Sequence, residues 1–220
     1  MPKRFTTCLL LSFALAATVA LAGPAEDFTA GDAAYRRGDV RSAIASLRKA
    51  ADAGHVRAQA LLGAILDAAE QDEEAVKYLT LASDQGDAEA TYQLAALVAA
   101  GEGTPKDPAR ARALMEKAAS LGKREALHAL ATAYLTGGFG LTEADRASPA
   151  ALDRLRQAAD ASHLPSIDRL ALAYRKGELG LAPDVKRAEE LEAKARTIRG
   201  VAEKTPPRNR RAAPPRVPGG

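Results

Sequence analysis

Three histidines, one cysteine and 28 carboxylates are the side chains of this 220-residue chain that could serve catalysis or metal binding. Their spacing favours neither. His55 and His163 fill equivalent turn positions, where other copies of the same segment carry Asp87 and Lys123, and free exchange with an acid and a base marks ordinary turn residues. His128 has no second histidine or cysteine at ligand spacing, and no serine or cysteine forms a plausible triad with it. Gln71-Asp72-Glu73-Glu74 reads as the acidic first turn of a helix, where the macrodipole favours negative charge. Gly101-Glu102-Gly103 follows a helical pattern, not a strand, so it is no phosphate-cradling loop. No residue is assigned as catalytic, cofactor-binding or metal-ligating, and a non-enzyme is expected.

The elements that would position any site are far better marked. Ala43, Leu47, Ala50, Ala51 and Gly54 return as Ala75, Leu79, Ala82, Ser83 and Gly86, as Ala111, Met115, Ala118, Ala119 and Gly122, and as Ala151, Leu155, Ala158, Ala159 and Ser162. Offsets of 4, 7 and 8 put the first four members on one helical stripe, and the fifth stops the helix. A second row precedes it: Ala58, Leu62, Gly63 and Leu66; Ala90, Leu94, Ala95 and Val98; Ala126, Leu130, Ala131 and Tyr134; Ser166, Leu170, Ala171 and Tyr174. Its tyrosine register extends back to Tyr35, and three residues later Gly38, Gly101, Gly137 and Gly177 close four of five copies. The expected fold is all-α, a solenoid of about five helix-turn-helix units, each covering its apolar face against its neighbours.

The order A-x-x-x-L-G/A-x-x-Y-x-x-G, a G-x-G linker, an aspartate and A-x-x-x-hydrophobe-x-x-A-A-x-x-G resembles the Sel1-like repeat, a relative of the tetratricopeptide repeat. The third copy, with Ala90, Leu94, Gly101-Glu102-Gly103, Asp107, Ala111, Ala118-Ala119 and Gly122, matches it best, and the resemblance runs over about residues 28–195. Copies one and two lack the G-x-G linker, and copies four and five lengthen it (Gly137 to Leu141, Gly177 to Leu181). In copy five the stripe is expected to fail, with Glu192 and Arg196 at two of its positions, as suits a polar terminal repeat. Asp107-Pro108 and Ser148-Pro149 read as N-cap and first helical residue, and Pro165 and Pro183 fall where first turns should begin. The long connection Gly137 to Ala147 is the one place where a loop could be enlarged for binding; Leu141 and Leu181 are expected to tuck beneath their own helix pair.

Both termini carry signals of another kind. Lys3 and Arg4, an apolar run from Leu9 to Leu21 and Ala20-Leu21-Ala22 before Gly23 read as a signal peptide over residues 1–22, cleaved after Ala22. The run is too short to span a bilayer. The expected location is therefore periplasmic or secreted, with no transmembrane span left and with Cys8 removed. Residues 23–199 then form the solenoid and 200–220 a disordered basic Pro/Arg-rich tail. From 23 to 195 there are 22 Lys+Arg against 27 Asp+Glu, and from 196 to 220, 7 against 1. The tail suits weak contact with an anionic envelope surface, and an envelope- or glycan-binding protein acting through it is the alternative function. Having no aromatics, it is not read as a specific nucleic-acid ligand.

The expected activity is therefore binding. Offsets 2, 6 and 9 on each first helix point away from the stripe at 100° per residue. That row holds Thr29 and Arg36, Asp67, Tyr92, His128 and Thr132, Asp168 and Arg175. In tetratricopeptide-like arrays the first helices line the concave face, so the resemblance implies that this row is the groove for a protein partner. Tyr92 offers apolar area and a hydroxyl together.

Overall fold

The computed structural model describes residues 23–204, and side chains to Gly200; the expected signal peptide and residues 205–220 of the expected tail lie outside the described residues, whereas 200–204, expected to begin the disordered tail, continue the last helix. Eleven helices occupy that span: α1 Pro24–Arg36, α2 Val40–Asp52, α3 Val56–Ala68, α4 Asp72–Asp84, α5 Ala88–Ala100, α6 Pro108–Ser120, α7 Arg124–Thr136, α8 Glu143–Arg146, α9 Pro149–Asp160, α10 Leu164–Lys176 and α11 Val185–Lys204. Apart from α8 they form five pairs, α1/α2, α3/α4, α5/α6, α7/α9 and α10/α11, each packed on the next. The expected all-α solenoid is the observed one.

Local chemistry starts the helices where the sequence signals them. Asp39, Asp87 and Asp107 accept from the backbone N–H three residues on, at 3.1, 2.8 and 2.9 Å. Pro108 and Pro149 follow their caps at the first helical residue, where a missing N–H goes unnoticed. Pro183 does not: α11 begins at Val185, capped by Asp184, so this proline lies outside the helix, contrary to expectation.

The small-residue stripe is the core. Ala43, Leu47, Ala50 and Ala51 are buried, as are their counterparts in the next pairs, except that Ala119 is half-buried. At Gly63 the reason for small residues is direct. A Cβ there would come within 2.7 Å of Leu79 Cγ, so glycine is what lets α3 and α4 close on one another. Gly31 meets Leu47 Cγ at 2.6 Å in the same way.

That equivalence corrects the first copy. Gly31 matches Gly63, so Ala34, buried, takes the place of Leu66, and Tyr35, 39% exposed, falls one residue outside the register assigned to it. The turn shifts with it: Gly38 (φ 83°) corresponds to Glu70 (φ 59°) and not to Ala69, whereas Gly101, Gly137 and Gly177 cap α5, α7 and α10 directly.

In the fifth pair the stripe does not fail. It narrows to Ala188, Leu191 and Ala195, all buried, because the helix turns Leu191 and not Glu192 toward α10. The connection after α7 is not an open loop either. Thr142 and Asp145 form a capping box that nucleates α8, Leu141 is buried, and Phe139 packs on the core; Leu181 is only half-buried.

Two lysines tie second helices together. Lys117 donates to the Ser83 carbonyl and Lys194 to the Ala159 carbonyl, both at 2.6 Å. Each places a cation at the negative end of the preceding second helix, an interaction worth about 0.3–1 kcal/mol.

Candidate functional site

First helices α1, α3 and α5 stand side by side, and together they line an open cleft of about 320 Å³. Its floor is apolar, made by Ala60, Leu61 and Ala64 of α3 with Phe28 of α1. Small side chains on α3 are what leave the volume open. Asp32, Asp87 and Glu89 supply negative charge, Arg57 the positive charge, and Gln93 an amide.

Phe28 has two close neighbours: the His55 ring stacks on it at 4.6 Å, and the Arg57 guanidinium lies 4.9 Å from its centroid. His55 also caps α3, accepting from Ala58 N–H at 3.2 Å through Nδ1. Gln93 donates to Glu89 at 3.1 Å, while its Oε1 is buried without a donor.

The corrected register explains this cleft. With Gly31 matched to Gly63, the outward row of α1 is Phe28, Asp32 and Tyr35, and Arg36 falls beside it. Arg36 is exposed and pairs with Asp32 at 2.9 Å, so it flanks the cleft. Asp67 sits half-buried at the far end of α3, where burial, and then neighbouring Asp72, push its carboxyl above the usual range.

Tyr92 is half-buried, packed on Met115 and its neighbours, with the Lys123 ammonium 5.3 Å from the ring centroid. Lys123 also bridges to Glu89 at 2.5 Å, and that contact holds its ammonium above the ordinary value.

Further along, His128 and Thr132 come together with His163. The two imidazoles lie 4.8 Å apart at 31°, His128 Nε2 is 3.2 Å from the Ala161 carbonyl, and Thr132 Oγ1 is 3.3 Å from His163 Nε2. Burial, and then the facing His128, push His163 below its usual value. At the end of the row both charged residues are engaged by the last helix: Asp168 by Arg199 at 2.5 Å, and Arg175 by Glu192 at 2.7 Å. Thr29 is exposed, its hydroxyl donating to the Ala25 carbonyl, and the eight residues of the row do not meet at one place. Sequence reasoning missed Phe28, Ala60, Leu61, Ala64 and Gln93. The signal for the alanines was present at offsets 2 and 6 from Ala58, but alanine on an outward face draws no attention.

Among the described residues no three His, Cys, Asp or Glu side chains are grouped to hold a metal ion, and no helix is long and apolar enough to cross a membrane. What the site offers is an open apolar floor with charged edges.

Known proteins share this architecture. Mouse DAP3-binding cell death enhancer 1 (Mus musculus) is 30% identical over 149 residues, and its rat counterpart (Rattus norvegicus) 29% over 148. Each alignment covers 63% of this chain and 29% of the relative, so the chain matches under a third of those proteins. The crystal structure of c5321, a protective antigen of uropathogenic Escherichia coli strains with an SLR fold, matches at a TM-score of 0.66 and 23% identity. That superposition covers 80% of this chain and 38% of the other. A Sel1 repeat protein from Oxalobacter formigenes matches at 0.59 and 26%, over 80% and 73%. The Sel1 repeat profile itself fits residues 31–55, 56–87, 88–123, 124–163 and 165–195, five units that coincide with the five helix pairs, and the chain belongs to the Sel1 repeat family.

Proposed function

We propose that this chain is an exported, non-enzymatic adaptor, periplasmic or secreted after cleavage behind Ala22, that binds a protein partner along its first-helix face. Repeats of this family generally mediate protein–protein interaction. The observation that carries the reading is the cleft across α1, α3 and α5, where Phe28 and the small residues of α3 leave apolar surface open between charged edges. Exposed apolar surface rimmed by polar groups is the usual mark of an interaction site. Export rests on the basic start, the apolar run Leu9 to Leu21 and the Ala20-Leu21-Ala22 signal.

The test is capture from a native envelope fraction with three baits. The intact chain and a Leu81→Arg control, altered on an exposed part of second helix α4, should recover the same partner; Ala64→Arg, which fills the cleft, should lose it. Equal recovery by all three would place the binding surface elsewhere.

A further inference from the structure

One arrangement recurs where a first helix meets the next. His55, at the start of α3, stacks on Phe28 of α1 at 4.6 Å, and His163, at the start of α10, faces His128 of α7 at 4.8 Å. Lys123, at the start of α7, holds its ammonium 5.3 Å from the centroid of Tyr92 in α5. Tyr92 and His128 occupy one position of the repeat, two residues after the buried Ala90 and Ala126, and Phe28 takes that position in α1 once Gly31 is matched to Gly63. The joint between α3 and α5 differs. Asp87 starts α5, but the residue at the ring position of α3 is Ala60. A methyl group stands where the other joints carry a ring, and the open cleft of about 320 Å³ lies there, with Ala60 and Asp87 both in its wall.

We propose that this cleft receives a tyrosine side chain of the partner, which stands on Ala60, completes the row of rings and donates its hydroxyl to the Asp87 carboxylate. This deepens the adaptor reading and rests on it.

The charges of the cleft select an uncharged group. Asp32 is already paired with Arg36 at 2.9 Å and Glu89 with Lys123 at 2.5 Å. The two charges left at the edges, Asp87 and Arg57, are of opposite sign, so neither a cation nor an anion gains from the cleft as a whole. An aromatic ring does gain. Ala60, Leu61 and Ala64 are half-buried and give it apolar surface to cover, and Phe28 stands in the wall as a ring partner.

Asp87 distinguishes tyrosine from phenylalanine. Its Oδ1 accepts from the Ala90 N–H at 2.8 Å, and a carboxylate has lone pairs for further donors. The chain already makes the same bond elsewhere: the Tyr78 hydroxyl donates to Asp52 at 2.8 Å, joining α4 to α2. A tyrosine seated in this way is the kind of side chain that carries much of the affinity at protein interfaces, because its ring is desolvated and its hydroxyl is satisfied.

The test is NMR of the isotope-labelled full chain titrated with three probes, N-acetyltyrosinamide, N-acetylphenylalaninamide and N-acetylargininamide. Tyrosinamide should shift the amides of Ala60, Leu61, Ala64 and Asp87 saturably, phenylalaninamide should bind about tenfold more weakly, and argininamide should leave them in place. Ala60→Tyr, which supplies the ring from the chain itself, should fold by circular dichroism and lose the response. Asp87→Ser, which keeps a capping side chain at the start of α5, should bring tyrosinamide down to the level of phenylalaninamide. The proposal is overturned if tyrosinamide gives no saturable shift on the intact chain, or if argininamide binds as well. It is equally overturned by equal binding of the two aromatic amides, by a hydroxyl preference that survives Asp87→Ser, or by a response that survives Ala60→Tyr. If tyrosinamide never binds while Ala64→Arg still loses the captured partner, the adaptor reading stands and this one fails.

Discussion

The two halves of the solenoid are built from the same stripe and finished differently. In the first half the turns between paired helices are short, α1 to α4 close over Gly31 and Gly63, and one continuous core runs from Ala34 to Ala111. In the second half the linkers lengthen, a short helix is inserted, and the core divides into two smaller clusters. Side-chain polar contacts join helices in both halves: Arg48 pairs with Glu74 and Tyr78 donates to Asp52 in the first. In the second, Arg169 pairs with Glu178, Arg175 with Glu192 and Arg199 with Asp168, and a histidine pair joins α7 to α10. Exposed pairs of this kind contribute about 0–1 kcal/mol each. The stripe thus specifies the stack, while the linkers decide how tightly each joint is packed and where a cleft remains.

The largest effect should come from the tightest joint. Gly63→Val puts a side chain into Leu79 with no room to yield, and should cost about 3 kcal/mol. Thermal unfolding measures it. An unchanged midpoint would mean that α3 and α4 do not close as described. Ala118→Leu probes the looser third pair, where the neighbouring Ala119 is only half-buried, and should cost less, about 1–2 kcal/mol. An equal or larger loss than at Gly63 would erase the contrast between the halves.

A smaller effect should depend on pH. His163 titrates below its ordinary 6.5 in the folded chain, so as pH falls the unfolded state takes up the proton first. Its contribution is present above about pH 6.5 and is lost as pH falls toward the lower folded value. Amide exchange, corrected for its intrinsic pH dependence, should show α7 and α10 opening more readily at pH 5.5 than at pH 7.5, roughly a unit to each side of that value. His163→Gln should remove most of the difference. Identical behaviour in wild type and variant would deny the histidine pair this role.

The stack was legible because burial repeats. Ala, Leu and Gly at fixed offsets mark a face that touches another helix, and nearly every residue of that stripe is buried. The first copy was misread for a physical reason: Tyr35 matched Tyr134 and Tyr174 in type and in distance to a glycine, but the true marker was Gly31, set by the approach of Leu47. That one-residue error moved Thr29 and Arg36 onto the outward row in place of Phe28 and Tyr35, left Asp32 off it, and so hid the α1 side of the cleft. The lysine ties were invisible for another reason. Lys117 and Lys194 reach 34 and 35 residues back through flexible stems, and nothing in a local pattern records where such a side chain ends.

The central claim, that the molecule binds through its first helices, is tested most directly by hydrogen–deuterium exchange of the full chain with and without its captured partner. Protection should concentrate in α1, α3 and α5, around Phe28, Ala60, Ala64 and Gln93, and leave α2, α4 and α6 nearly unchanged. Protection confined to the second helices, with the cleft exchanging as in the free chain, would contradict the account.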